Sequence, residues 1–149
     1  MEEQITVTLT RQTKYRFLVD FGVGVPQSVS DEPPPLGEGA GPSPTHLLAA
    51  AMANCLSASL LFSLGKFKED PGAITATAVC TFGRNEKNRL RIIGTNVEIT
   101  LGVAPESLPH LDRALAQFED FCTVSQSIRA GIPFTVAVIG PDGRMIKPA

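Results

Sequence analysis

The sequence of 149 residues has no concentration of basic side chains and no long run of one charge. Lysine and arginine number 13 against 15 aspartates and glutamates, which gives a formal net charge of -2. Nucleic acids and anionic membranes are bound by concentrated positive charge, so we expect neither as a partner. With 43% apolar residues, a chain of this length can bury a core, and we predict one domain over residues 1–149.

The first ten residues, MEEQITVTLT, lack the pattern of a secretory leader, which needs positive charge followed by a continuous apolar run. Cysteine and histidine are also scarce. The three cysteines, Cys55, Cys80 and Cys122, are far apart, no CxxC occurs, and there are two histidines. This scarcity argues against a disulfide framework or a zinc site, and we expect no metal or cofactor. The thiols are therefore predicted to be reduced, in a cytoplasmic protein.

Period-two alternation of polar and apolar residues predicts strands over residues 4–10 and 14–21, joined as a hairpin. Residues 22–43 are rich in glycine and proline, which prevents a helix and leaves room for only a short strand near residues 25–30. We predict a long loop there, and long loops inside compact domains often carry function.

A long helix is predicted from Pro44 to about Phe67, with Ser43 as N-cap and proline at the first helical position. Apolar and small residues recur at helical spacing along one stripe, and the remaining positions are mostly alanine, serine and leucine. The stripe consists of Leu47, Leu48, Ala51, Cys55, Ala58, Leu61 and Phe62. We expect this helix to be buried nearly all round.

The second half of the chain predicts a hairpin, a second long helix and a final strand. The hairpin strands lie within residues 73–84 and 89–103, and the helix covers residues 105–121 with about two more turns ending at Gly131. Residues 132–140 read as a strand, followed by a PDGR turn. The order of elements predicts an α+β domain in which helices cover an antiparallel sheet.

Two of the cysteines lie on or beside the predicted long helices, Cys55 within the first and Cys122 at the end of the second. Helices that bury their apolar faces against each other could bring the sulfurs together. Such a pair can perform redox chemistry: a thiolate attacks an oxidant, becomes a sulfenic acid and is captured as a disulfide. Free cysteine is also often buried as a small apolar residue, so the pattern alone leaves both interpretations open.

The stretches GPSPTHLLAAAMANC and FCTVSQSIRAGIPFTVAV resemble the two cysteine motifs of the OsmC/Ohr family, the osmotically inducible and organic-hydroperoxide-resistance proteins. The segments YRFLVDFG and DEPPPLG fall in the same order as in that family. The resemblance implies an α+β, OsmC-like fold with antiparallel sheets and two long central helices, in an intertwined homodimer.

The resemblance also implies a thiol-dependent peroxidase with its active site at the subunit interface. The residue matching the attacking cysteine is Cys55, Cys122 matches the resolving one, the substrate is an organic or lipid-like hydroperoxide, and a dithiol is the reductant. Small residues around the sulfur would let helices approach closely. An apolar pocket would be lined by Leu47, Leu48, Met52 and Leu56.

The sequence departs from the family pattern in the groups that activate the sulfur. Peroxidase members have an arginine in the loop before the first cysteine helix, and residues 23–44 contain no arginine or lysine. The family's first-turn glutamate falls on Thr45 or His46. Because His46 is third after Ser43, it takes the place of a capping-box glutamate, either as a solvent-facing neutral histidine or as a group that steers the peroxide.

A cation for Cys55 would have to come from elsewhere, because Cys55 lies in the middle of its own helix, beyond the N-terminal dipole. The candidates are Arg16, on a predicted strand, and Arg129, seven residues after Cys122. The hydroxyl of Ser125 could donate a hydrogen bond to a thiolate.

Three functions are open from the sequence. The first is the peroxidase. The second is a dimeric protein of the same fold that binds an apolar small molecule with little or no peroxidase activity, which the missing arginine and glutamate favour. The third is a structural protein with two unreactive core cysteines.

Overall fold

The computed structural model describes residues 2–149. The chain divides into two compact units, Met1–Leu48 and Ala49–Ala149, and the division falls inside the first helix. Each unit is described by itself, and the single domain over residues 1–149 stays a prediction.

The first unit contains a three-stranded antiparallel sheet of order β1-β2-β3. Its strands are β1 (Thr8–Thr13), β2 (Arg16–Asp20) and β3 (Ser28–Ser30). The turn between β1 and β2 places Lys14 in the left-handed region, at φ 45°. The predicted hairpin and the short third strand are confirmed, although β1 starts four residues later than its alternating pattern does.

The loop after β3 is closed around a buried carboxylate. Asp31 is 2% exposed, and its oxygens accept three backbone N–H groups at 2.8–3.2 Å. The donors are Glu32, Glu38 and Ala40. These bonds, that of Ala40 first, hold the pKa of Asp31 below its usual value. A Cβ on Gly41 would lie 2.1 Å from the carbonyl oxygen of Val29, so only glycine fits this close approach.

Helix α1 (Pro44–Gly65) is close to the predicted helix but buries a different face. Its buried side chains are Met52, Leu56, Ser59, Leu60, Ser63 and Leu64. On the predicted stripe, by contrast, Leu47, Leu61 and Phe62 are 36%, 44% and 57% exposed. For the single chain, the predicted buried stripe and the predicted burial on nearly all sides were both wrong. A helix that is apolar on every side gives no periodic signal of which face meets the sheet.

By length and composition, α1 could also cross a membrane. A core helix of a soluble protein passes the same test, so this is weak evidence for a membrane span.

The second unit holds a four-stranded sheet of order β4-β5-β6-β7. The strands are β4 (Thr75–Arg84), β5 (Leu90–Thr100), β6 (Phe134–Ile139) and β7 (Met145–Lys147). The predicted hairpin and final strand are confirmed, but the antiparallel sheet is not, because β5 and β6 are parallel. The connection over residues 101–133 is long enough to cross back to the starting end of the sheet, which a parallel pair requires.

The second predicted long helix is broken into short pieces. They are a 3₁₀ turn (Pro105–Ser107), helix α2 (Leu111–Gln117), a second 3₁₀ turn (Phe118–Phe121) and helix α3 (Thr123–Ile128). Leu108, at φ -118° and ψ 82°, precedes Pro109, which disfavours the helical conformation in the residue before it. Cys122, at φ -81° and ψ 97°, makes the second break. Residues 2–149 therefore contain one long helix rather than two.

The core of the second unit lies between α1 and the sheet. Leu56, Leu60 and Leu64 of α1 are fully buried in one cluster with Phe118 and with side chains from β5 and β6. Each such side chain contributes roughly 2 kcal/mol by leaving water. Cys122 belongs to this cluster and Cys55 packs against it, so the same core that stabilises the unit positions both thiols.

Candidate functional site

The thiols of Cys55 and Cys122 meet in the second unit. Cys55 is half-buried on α1, whereas Cys122 is fully buried at the break before α3. The side chain of Cys122 is close enough to the Cys55 thiol to raise its pKa, by hydrogen bonding and by charge. Two residues far apart in sequence are therefore brought near each other, as a redox pair requires.

Backbone N–H groups at the start of α3 surround the two sulfurs. Cys122 is the N-cap of α3, and its Sγ accepts the N–H of Ser125 at 3.5 Å. The N–H groups of Val124 and, to a lesser extent, Thr123 lower the pKa of the Cys55 thiol by hydrogen bonding to its sulfur. Cys55 lies far from the N-terminus of its own helix, but a neighbouring helix supplies the donors that could stabilise its thiolate.

The pKa of the Cys55 thiol is held above its ordinary value. Burial is the largest cause, because it disfavours the charged thiolate. The N–H of Val124 acts in the opposite direction, and the hydrogen bond from Cys122 raises the pKa further. None of the main groups that shift this pKa is an arginine, lysine or histidine. Cys55 is therefore mostly protonated at neutral pH.

Two of the predicted supporting residues also lie in the second unit. Arg129 donates to Glu119 at 3.3 Å, and its guanidinium lies 4.5 Å from the centroid of the Phe134 ring. Its charge thus has a carboxylate partner. The hydroxyl of Ser125 is fully buried and has no hydrogen-bond partner in the described part of the chain.

The other predicted supporting residues, Thr45, His46 and Arg16, belong to the first unit. The N–H of Ser43 donates to Nδ1 of His46 at 3.2 Å, and the Ser43 hydroxyl lies 2.7 Å from the same nitrogen. His46 therefore takes the capping-box position as predicted, with Nδ1 as an acceptor. Thr45 is half-buried beside it. On β2, the Nε of Arg16 is buried without a hydrogen-bond partner among the described residues.

A hollow of about 350 Å³ opens beside Cys55. It is lined by Cys55, Ala58, Ser59, Phe62 and Phe121. None of the residues expected to line the pocket, Leu47, Leu48, Met52 and Leu56, borders this hollow, and Met52 and Leu56 are fully buried. The two aromatic rings meet edge to face, with centroids 5.4 Å apart.

Sequence reasoning missed the two phenylalanines as site residues. Phe62 follows Cys55 by seven positions, which places both on the same face of a helix, so this residue could have been found. The only sequence feature that indicated Phe121 was its position next to Cys122, because the break before α3 was not predicted.

A family model described as OsmC-like protein matches residues 37–137, which include both cysteines. No curated protein matches the sequence. Solved structures share the fold at low identity. An OsmC-like protein of unknown function from Vibrio cholerae aligns with a TM-score of 0.76 and 16% identity, over 93% of this chain and 100% of that one.

Two further structures come from proteins named for organic hydroperoxide resistance. The protein from Legionella pneumophila aligns with a TM-score of 0.68 and 17% identity, over 91% of this chain and 96% of that one. The protein from Elizabethkingia anophelis aligns with a TM-score of 0.65 and 22% identity, over the same shares of 91% and 96%.

Replacing Cys122 by alanine removes a hydrogen bond and a charge interaction that raise the pKa of Cys55, so this pKa should fall. More thiolate is then present at neutral pH, and iodoacetamide should alkylate Cys55 faster. The rate is measured against pH from the mass of the Cys55 peptide. Cys122→Ser is the matched control, because its hydroxyl can keep the hydrogen bond and should give a smaller change. An unchanged pH midpoint in Cys122→Ala would contradict the proposed coupling.

Proposed function

Because the chain belongs to the OsmC-like protein family, we propose that it is a thiol-dependent peroxidase that reduces organic hydroperoxides through Cys55 and Cys122. The observation that carries this proposal is the proximity of the two thiols beside an open apolar hollow. The names of the Legionella and Elizabethkingia proteins support the choice of substrate class.

The proposed reaction has two steps on the protein. The Cys55 thiolate attacks one peroxide oxygen of ROOH, the O–O bond breaks, and the departing alkoxide takes a proton to leave as ROH. Cys55 becomes a sulfenic acid, oxidised by the two electrons that the peroxide gains. The thiolate of Cys122 then attacks this sulfur, hydroxide leaves and is protonated to water, and a disulfide forms. A dithiol restores both thiols by exchange.

The groups around Cys55 set the expected rate. The N–H groups of Thr123 and Val124 can stabilise the thiolate, but the raised pKa keeps it a minor form at neutral pH. Activity should therefore increase as the pH rises. Arg16 and Arg129 remain the proposed sources of positive charge for Cys55. Thr45 and His46 are proposed to lie near the peroxide. The Ser125 hydroxyl is a proposed hydrogen-bond donor to the thiolate.

We further propose that the protein is a cytoplasmic homodimer in which residues 1–149 form one OsmC-like domain. Exposed apolar side chains on α1, such as Leu47 and Leu61, support a partner there. The β4–β5 hairpin adds Val79, Phe82, Leu90 and Ile93, which are 47–56% exposed. A second copy of the chain would remove these surfaces from water.

A second candidate function is favoured by the electrostatics of the site. The pKa of Cys55 is raised, and no cation is among the main groups that act on it. A hollow of this kind could hold an apolar small molecule without rapid peroxide chemistry.

Turnover of cumene hydroperoxide with dithiothreitol as reductant separates these functions. Cys55→Ser should lose at least about 100-fold in rate, because it removes the nucleophile. Without any reductant, Cys122→Ser, which keeps Cys55, should consume one equivalent of peroxide and then stop as a sulfenic acid that dimedone captures. Equal turnover in the natural chain and in Cys55→Ser would reject the peroxidase. An apolar molecule retained in native mass spectrometry would then favour the binding protein.

The dimer is tested by sedimentation velocity. Leu61→Lys places a charge on the exposed face of α1 and should shift a dimer towards monomer, since burying an unpaired ammonium is costly. Val23→Lys, at a fully exposed side chain in the first unit, is the control and should leave the dimer intact. A dimer unaffected by Leu61→Lys would contradict an interface on α1.

A further inference from the structure

The ammonium of Lys66 lies over the two aromatic rings of the hollow. Its Nζ is 4.0 Å from the centroid of the Phe121 ring and 5.0 Å from that of Phe62. The side chain is exposed, just beyond the end of α1. A cation held against apolar rings in this way keeps a defined position while its remaining N–H groups face water.

Lys66 has no carboxylate partner among the ion pairs of residues 2–149. The acidic groups close to it in sequence or beside Phe121 are mostly engaged elsewhere: Glu69 accepts from His110 at 2.6 Å and Glu119 pairs with Arg129. Asp120, next to Phe121, is exposed and forms no ion pair in that part of the chain. The charge of Lys66 is thus free to attract an anion.

The distance from Lys66 to the reactive thiol restricts the size of such an anion. Cys55 and Phe62 are seven residues apart on one face of α1, which is roughly 10 Å along the helix axis. Since the ammonium lies over Phe62, the anionic group must be separated from the peroxide by an apolar spacer of about that length.

We propose, resting on the peroxidase function above, that Lys66 is a specificity-determining residue that selects hydroperoxides with a carboxylate at the far end of an apolar chain. The rings of Phe62 and Phe121 contact the chain, and the ammonium pairs with the carboxylate. A neutral hydroperoxide of equal length loses this ion pair, and a short one does not reach it.

The test compares linoleic acid hydroperoxide, its methyl ester and cumene hydroperoxide as substrates. Lys66→Met keeps the apolar stem and should lower kcat/KM for the acid by up to about five-fold, the upper limit for an exposed ion pair, with the ester and cumene hydroperoxide unchanged. Lys66→Arg should keep kcat/KM for the acid close to that of the natural chain. Lys87→Met removes the same charge from the β4–β5 turn and is the control. Added salt should weaken the preference for the acid in the natural chain.

If Lys66 had only a structural role, Lys66→Met would lower kcat/KM for all three substrates together. It would also lower the thermal midpoint, because a lysine just after α1 stabilises the negative end of the helix dipole. An acid-to-ester ratio that is equal in the natural chain and in Lys66→Met would overturn the proposal while the peroxidase stands. If no hydroperoxide is turned over, the peroxidase fails. Binding of linoleic acid and methyl linoleate to Cys55→Ser then still tests the role of Lys66, since adding Lys66→Met should weaken binding of the acid alone.

Discussion

The proximity of the Cys55 and Cys122 thiols is the constraint on which the candidate site depends. It exists because α1 packs its leucines against the sheet of the second unit while the chain breaks at Cys122 and starts a new helix there. That break turns the N–H groups of Thr123 and Val124 towards Cys55. In an unbroken helix, these N–H groups would donate to carbonyl oxygens of the preceding turn, and the Cys55 thiol would have no backbone donors.

The site balances two opposing physical effects. Burial keeps Cys55 protonated, backbone N–H groups partly compensate, and no cation of residues 2–149 is among the main groups that act on its pKa. A thiol of this kind reacts slowly at neutral pH, yet it stays protected from indiscriminate oxidation. The aromatic pair and Lys66 at the other end of the hollow add binding energy far from the reacting sulfur, which can raise the occupancy of a long substrate without changing the thiol.

Local patterns in the sequence predicted much of the fold. Alternation gave the β1–β2 and β4–β5 hairpins, and Ser43 with Pro44 marked the start of α1. The parallel pairing of β6 with β5 escaped prediction, because strand direction depends on where a long connection crosses the sheet. The buried face of α1 was not predicted either, because apolar residues occur on every side of this helix. Within the site, the two cysteines were readable from their motifs, whereas Phe121 and the donors from α3 depend on the break at Cys122.

The most direct test of the sulfur contact is peptide mapping of the reduced protein after one equivalent of cumene hydroperoxide, under non-reducing conditions. The expected result is a single new species, two hydrogens lighter, in which the Cys55 and Cys122 peptides of one chain are joined by a disulfide and Cys80 stays a thiol. A disulfide that involves Cys80, a link between chains, or Cys55 and Cys122 both left as thiols would contradict it.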